Sequence, residues 1–439
     1  MTAPAEAAQY SHWDRSVKAL IAGTFLNTAA HLAGVTALGK LVFDLTGREL
    51  DLGLIGLAEF LPVLLLVLVA GSVADRVDRR LITGVGALVS AAVAAALAAY
   101  AASSPSAVAP IFALVVVIGI AAAFVSPASR ALPADILAPE DLPWLVARHS
   151  ATWQSALIVG PVLGGTLYAI DPAAPFVAVA VLYLLSALAY PLIRIRPRNS
   201  PAEAEMAAVI EEEGDEPARP GLHHALEGLR FIRQRPILLG AISLDLFAVL
   251  FGGAVALLPA ITEDRLGVGA VGLGWLRAAG GIGAGAVTLV LTRKPVVRRI
   301  GRTLLTAVAV FGVATIALGL TRSYGVAFAA MLVLSGADAI SVFIRATLVP
   351  LVVPQEMRGR VLAVENVFIG GSNELGAFES GVAGQILGPA GAVVLGGAAT
   401  VAIAGTWALA FPALRDIDRF PGSGTPVERD VIILDELGP

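Results

Sequence analysis

Several ionisable side chains in this sequence fall inside long apolar stretches, where each needs a partner or a task. They are Lys40, Glu59, Asp245, Arg277, Asp338, Arg345, Glu365, Glu374 and Glu379. At the centre of a bilayer a charge costs about 2.5–3.5 kcal/mol even on insertion scales. A buried carboxylate without a firm cation partner can take up and release a proton near physiological pH. Asp245, near the middle of its apolar stretch, is the first candidate for that chemistry, followed by Asp338 and Glu374, with Glu379 and Glu59 completing the set. A wholly structural role stands as the alternative for each.

The remaining charges pair off by depth. Arg345 and Glu365 lie at comparable depth on successive apolar stretches and are expected to form a structural ion pair. Lys40 and Glu59 could pair towards the opposite membrane surface. Asp44, one turn beyond Lys40, competes for it, and a snorkelling lysine is a third option. Asn27 and His31, one helical turn apart, add a polar face to the first stretch. Glu365 and Glu379 are fourteen residues apart, close to four turns, and share a face. Glu374 points the other way, so one of Glu374 and Glu379 faces a cavity and the other a neighbouring helix.

The elements that must hold these charges are transmembrane helices. Of 439 residues, 57% are hydrophobic and 15% charged, against about 25% charged in soluble domains. Glycine is abundant, at 46 residues, as suits helices that pack closely in lipid, and the apolar runs are too long for barrel strands. There is no cysteine, so disulfides and thiolate chemistry are excluded. A net charge of −4 gives no reason to expect a nucleic-acid partner. The polar first fifteen residues do not read as a cleaved signal peptide.

About 20 apolar residues cross the hydrocarbon. Runs of that size occupy roughly 17–45, 52–74, 81–102, 107–128, 145–169 and 174–195, and then 236–261, 270–292, 303–321, 324–350, 361–386 and 391–412. The expected architecture is all-α, with about twelve spans in two six-helix halves, 17–195 and 236–412. Residues 1–16 and 413–439 form polar ends. The interval 196–235 reads as a linker, acidic from Glu203 to Glu216, followed by an interfacial helix near Leu222–Ile232. Arginine and lysine crowd alternate loops, including Arg76, Arg79, Arg80, Arg298, Arg299 and Arg302, whereas the other loops carry only Arg48, Arg265 and Arg322. The positive-inside rule therefore puts both termini in the cytoplasm.

Two motifs carry a resemblance. The loop after the second span reads Gly71-Ser72-Val73-Ala74-Asp75-Arg76-Val77-Asp78-Arg79-Arg80. Its glycine would permit close helix approach, and Asp75 at the membrane edge could pair with arginines and with a helix start. The loop resembles the signature of the major facilitator superfamily, departing at Val73, where leucine is usual, and at Asp78, where glycine is usual. In the fifth span, Gly160-Pro161-Val162-Leu163-Gly164-Gly165 is similar to the kink motif of proton-coupled exporters in that superfamily, with Ala156 in place of its first glycine. Ser126–Pro133, Leu244–Phe247 and Glu356–Val361 resemble the enterobactin-exporter and macrolide-efflux branch.

The resemblance covers about residues 17–415 and implies a monomeric multi-pass transporter of a bacterial inner membrane. It would export a small organic compound, drug-like or siderophore-like, in exchange for protons and without a cofactor. Asn27, His31, Lys40 and Arg277, polar or charged within their spans, are the candidates to line the substrate cavity, about which the resemblance implies that the two halves rock. The arginine that many such exporters carry in the fourth helix has no counterpart, because Ile111–Phe124 holds no charge. An importer on the same fold is the nearest alternative. A membrane enzyme is disfavoured by the lack of any metal-ligand spacing, nucleophile elbow or phosphate loop. A sensory or scaffolding role would leave the intramembrane charges without explanation.

Overall fold

The computed structural model describes residues 14–137, 141–195 and 222–421. The acidic interval 203–216 and the polar ends 1–13 and 422–439 lie outside the described residues. Two compact units emerge. One comprises residues 1–219 with 255–281, the other 220–254 with 282–439.

The first unit contains α1 (Arg15–Thr46), α2 (Glu49–Arg76), α3 (Arg79–Ala102), α4 (Ala109–Ala131), α5 (Leu142–Tyr168) and α6 (Ala174–Ala189). α1 stops where Gly47 adopts a left-handed conformation (φ 59°) and donates its N–H to the Phe43 carbonyl. α2 follows with Glu49 and Asp51 in its first turn, complementing the helix dipole. α1 packs on α5 and α6, α2 on α4, and α3 on α4 and α6. α4 crosses α2 closely, since a Cβ at Gly119 would come within 2.2 Å of the Glu59 carbonyl oxygen.

The second unit opens with α7 (Leu222–Gln234) and α8 (Pro236–Phe251), continues after 281 with the remainder of α9 (Gly269–Arg293), and then has α10 (Ile300–Leu320), α11 (Tyr324–Val352) and α12 (Gln355–Ala410). α8 and α9 are joined by 3₁₀, α and π turns over 254–265. α12 is two helices bent at Gly388, whose φ of 73° no L-residue adopts readily, with Pro389 following. α7 forms where an interfacial helix was expected, but only part of it is left free of the protein. Ile232 is buried against Val361 and Val364, whereas Leu226 is exposed.

Among the described residues, ten helical stretches are long and apolar enough to cross a membrane, the whole of bent α12 being one of them. Counting its two arms separately, and adding the 27-residue but more polar α5, puts a helix on each of the twelve expected spans. Among the described residues there is no β-strand.

Candidate functional site

Within the second unit, two of the expected carboxylates converge on one guanidinium. Arg345 of α11 places Nη2 2.6 Å from Oδ1 of Asp245 on α8 and Nη1 3.9 Å from Oε1 of Glu365 on α12. Its Nε donates to Ser341 Oγ at 3.4 Å. All three charged side chains are buried, at 6–10% exposure. The Arg345–Glu365 pair is thus present but is the longer of two contacts. The premise that Asp245 has no firm partner does not hold, because the crossing of α8 and α11 brings a cation from a hundred residues away.

Asp338 lies two turns before Arg345 on α11. It lines, with Asp245 and Ser341, a void of about 10 Å³ otherwise walled by groups such as Ala248, Val308 and Phe311. That is the lower limit of room for one water molecule, and the polar partners to hold it are present. Asp338 makes no ion pair within 4 Å among the described residues. The cluster therefore holds three carboxyl groups and one guanidinium. Glu374 and Glu379 lie further along α12 and are half-buried.

In the first unit the charges sort differently from expectation. Lys40 does not pair with Glu59. It is buried between Asp44 of its own helix, which it contacts closely, and Glu263 of the π turn, 3.1 Å away. The Tyr168 hydroxyl of α5 donates to Asp44 at 2.8 Å, and its ring lies 5.8 Å from Lys40 Nζ. Neither Glu263 nor Tyr168 stands out in the sequence; one is an acid just past an apolar run and the other the last residue of a helix. Glu59 instead faces His31, 3.9 Å away across α1 and α2, and Asn27 is half-buried one turn before His31. Arg277 turns its guanidinium towards α1 near Gly39, and its buried Nε finds no hydrogen-bond acceptor among the described residues.

The kink motif works by backbone proximity. A Cβ on Gly160 would come within 2.8 Å of the Ala29 carbonyl oxygen, and one on Gly164 within 2.4 Å of that of Ala33, both on α1. Gly165 faces the opposite way, 2.3 Å by the same measure from the Ala270 carbonyl oxygen of α9. Gly274 in turn sits against the Pro161 carbonyl oxygen at 2.5 Å. Pro161 donates no N–H, and α5 remains helical through it. The motif thus wedges α5 between α1 and the 269–281 turns of α9.

At the opposite end of α1, the loop motif ties helices together. Asp78 caps α3 by accepting from the Arg80 amide at 2.9 Å and pairs with the Arg80 guanidinium at 2.6 Å. Arg80 also donates to the Ile193 carbonyl at the end of α6. The Arg80 hydrogen bond holds the Asp78 carboxyl below its ordinary range. Arg79 grips both oxygens of Asp135, in the 3₁₀ turn after α4, at 2.8 and 2.9 Å. Arg76 is exposed. Gly71 does not mediate a close helix approach, since no atom lies within 4 Å of where its Cβ would be. The side chain of Asp75 lies outside the described positions.

The sequence profile of the Major Facilitator Superfamily matches residues 20–377. The chain belongs to the major facilitator superfamily. A curated relative, the multidrug efflux pump Tap of Mycolicibacterium fortuitum, is 26% identical over 404 residues, covering 88% of this chain and 92% of that protein. The Tap protein of Mycobacterium tuberculosis is 26% identical over 418 residues, or 92% and 94% of the two chains. Among solved structures, a bacterial homologue of the human lysosomal transporter Spinster, inward-facing and unoccupied, aligns with a TM-score of 0.68 at 16% identity, covering 91% of this chain and 95% of that one. A POT family transporter in complex with 5-aminolevulinic acid aligns at 0.70 and 12% identity, covering 91% and 96%. At these identities the structures speak for the fold alone. As a superfamily member the chain is a bacterial multi-pass membrane protein of a transporter family.

Proposed function

We propose that this protein is a multidrug exporter of the bacterial cytoplasmic membrane, driving small organic compounds outward in exchange for protons by alternating access. The 26% identity to multidrug efflux pumps over about nine-tenths of the chain supports the substrate class. The positive-inside rule supports cytoplasmic termini. On that orientation the Lys40–Asp44–Glu263 cluster, together with the Gly165 and Gly274 contacts, is the external gate in its closed form.

The observation that carries proton coupling is the acid excess around Arg345. Of three carboxyl groups on α8, α11 and α12, Asp245 and Glu365 pair with one cation, and Asp245 and Asp338 flank a water-sized void. Asp245 and Glu365 are held by Arg345, whereas Asp338, without an ion pair, is the group we assign to proton loading. A proton entering through the void forms an O–H bond on the Asp338 carboxyl and leaves it on the opposite side of the membrane after the conformational switch. Asp245 registers that event because it shares the void's wall, and Arg345 does so through its contact with Asp245.

The test is uptake into inverted membrane vesicles under an imposed proton gradient, with a panel of antibiotics and dyes. Gradient-dependent accumulation is expected for the wild type. Asp338→Asn should lose uphill accumulation while retaining downhill substrate exchange. An Asp338→Asn protein that still pumps uphill at the wild-type rate removes Asp338 from the mechanism. Gradient-dependent depletion of preloaded vesicles would mean import.

A further inference from the structure

A cleft of about 790 Å³ lies within the second unit, between α9, α10 and α11, and shares Ala307 and Ala337 with the wall of the void beside Asp338. Its inner wall is the tight crossing of α9 and α11. A Cβ on Gly283 would come within 2.2 Å of the Leu332 carbonyl oxygen, and one on Gly336 within 2.9 Å of Val287. α10, which packs on α11, forms the other wall. The lining along the helices is apolar, with Ala286, Val310 and Val333 exposed. All three helices are candidate membrane spans, so the cleft opens beside lipid.

One end of the cleft is chemically distinct. Arg299 and Arg302 sit there at the start of α10, both exposed, with Thr303 and Thr306 one turn further in. Arg299 holds a left-handed conformation (φ 55°) as the residue before the helix. The adjoining stretch carries Arg293, Lys294 and Arg298, none of which lines the cleft. The nearby acids are Asp416 and Asp418, already engaged. Asp418 accepts from the Arg299 backbone N–H at 3.2 Å and pairs with Arg298 at 3.6 Å, and Asp416 pairs with Arg415 at 2.9 Å. From Arg299 to Val310 is eleven residues, about 16 Å of helix, or roughly half the hydrocarbon thickness.

We propose that this cleft is a binding site for an anionic phospholipid, with the headgroup phosphate on Arg299 and Arg302 and an acyl chain along the apolar wall of α9, α10 and α11. A planar guanidinium pair matches phosphate geometry, and hydroxyls beside it supply further donors. A basic pocket between membrane helices at the cytoplasmic surface favours an acidic headgroup over a zwitterionic one. Because the α9–α11 crossing is made by glycines, lipid occupancy also braces the spacing of α10 against it.

The experiment uses the full chain, purified in a mild detergent, exchanged with phosphatidylglycerol or phosphatidylethanolamine and read by native mass spectrometry. The wild type should retain phosphatidylglycerol selectively. Each arginine near an anionic headgroup is worth about a factor of five, so Arg299→Gln with Arg302→Gln should lower retention about twenty-five-fold. Arg293→Gln with Lys294→Gln removes the same charge outside the cleft and should change retention less than about fivefold. Ala286→Phe, which fills the cleft without touching the arginines, should also displace the lipid. Equal retention of the two lipids, equal losses in both charge pairs, or normal retention in Ala286→Phe each overturns the proposal. So does stabilisation by inorganic phosphate as large as that by the lipid, which would make the arginines a free-anion site.

Discussion

Replacing Arg345 by glutamine removes the only cation within 4 Å of both Asp245 and Glu365 among the described residues. Breaking a buried ion pair by deleting one partner costs about 3–5 kcal/mol, because the surviving charge is left without compensation. Here two carboxylates are orphaned at once, which points to the upper part of that range. Asp245→Asn is milder. It removes the 2.6 Å contact, but Arg345 keeps Glu365 at 3.9 Å and Ser341 at 3.4 Å. The loss should be about 1.5–3 kcal/mol, the worth of a hydrogen bond to a charged group. In the double variant one orphaned acid has itself been neutralised, so the two costs should not add; a shortfall of about 2 kcal/mol is expected. Denaturant titration in mixed micelles measures the three variants, and thermal midpoints in one detergent check their order where unfolding is irreversible. If Arg345→Gln unfolds with the wild type, or the single costs sum within about 0.5 kcal/mol, the cluster is not the coupled unit described here.

Other perturbations follow from the same contacts. Gly164→Val drives side-chain carbons into the Ala33 carbonyl, 2.4 Å from the Cβ position; it should cost about 1–3 kcal/mol and reduce vesicle transport, whereas Gly71→Ala, facing open space, should leave the thermal midpoint unchanged. Lys40→Gln leaves Asp44 and Glu263 facing each other without their cation, so a cysteine introduced by Asp264→Cys in this cysteine-free chain should react faster with an impermeant maleimide added outside. Asp78→Ala removes a helix cap and the Arg80 tether and should lower stability by about 1 kcal/mol at neutral pH. Because Arg80 holds the folded carboxyl below the unfolded value, the ionic part of that stability is complete above about pH 4 and is lost as pH falls through the lowered value. The gap between wild type and Asp78→Ala in a pH series of thermal midpoints should therefore narrow only on the acid side, and a gap that widens there would contradict the pairing.

Much of the architecture is legible in the chain because bilayer insertion is a local test. Any run of about 20 apolar residues must become a helix to satisfy its own backbone, wherever it sits in the fold. The twelve expected runs coincide with helices for that reason. The Gly160–Gly165 motif was likewise readable, because only glycine tolerates the backbone approaches found there. The loop signature was recognisable, although its work is shared with Asp135 and the Ile193 carbonyl, which belong to other helices.

Charge pairing was the part that hydropathy could not decide. Depth along a helix places Lys40 near the membrane edge, but whether it meets Glu59, Asp44 or Glu263 depends on which helices touch and at what rotation. The turns at 254–265 bring Glu263 to Lys40, and the crossing of α8 with α11 gives Arg345 to Asp245 more closely than to Glu365. Nor does a boundary drawn at the acidic interval foretell that residues 255–281 cluster with the first six helices. The sequence by itself determined that this is a bundle of membrane helices with more acids than lipid can tolerate unpaired. Tertiary structure alone chose the partners, because an ion pair is set by distances of a few ångströms between residues far apart in the chain.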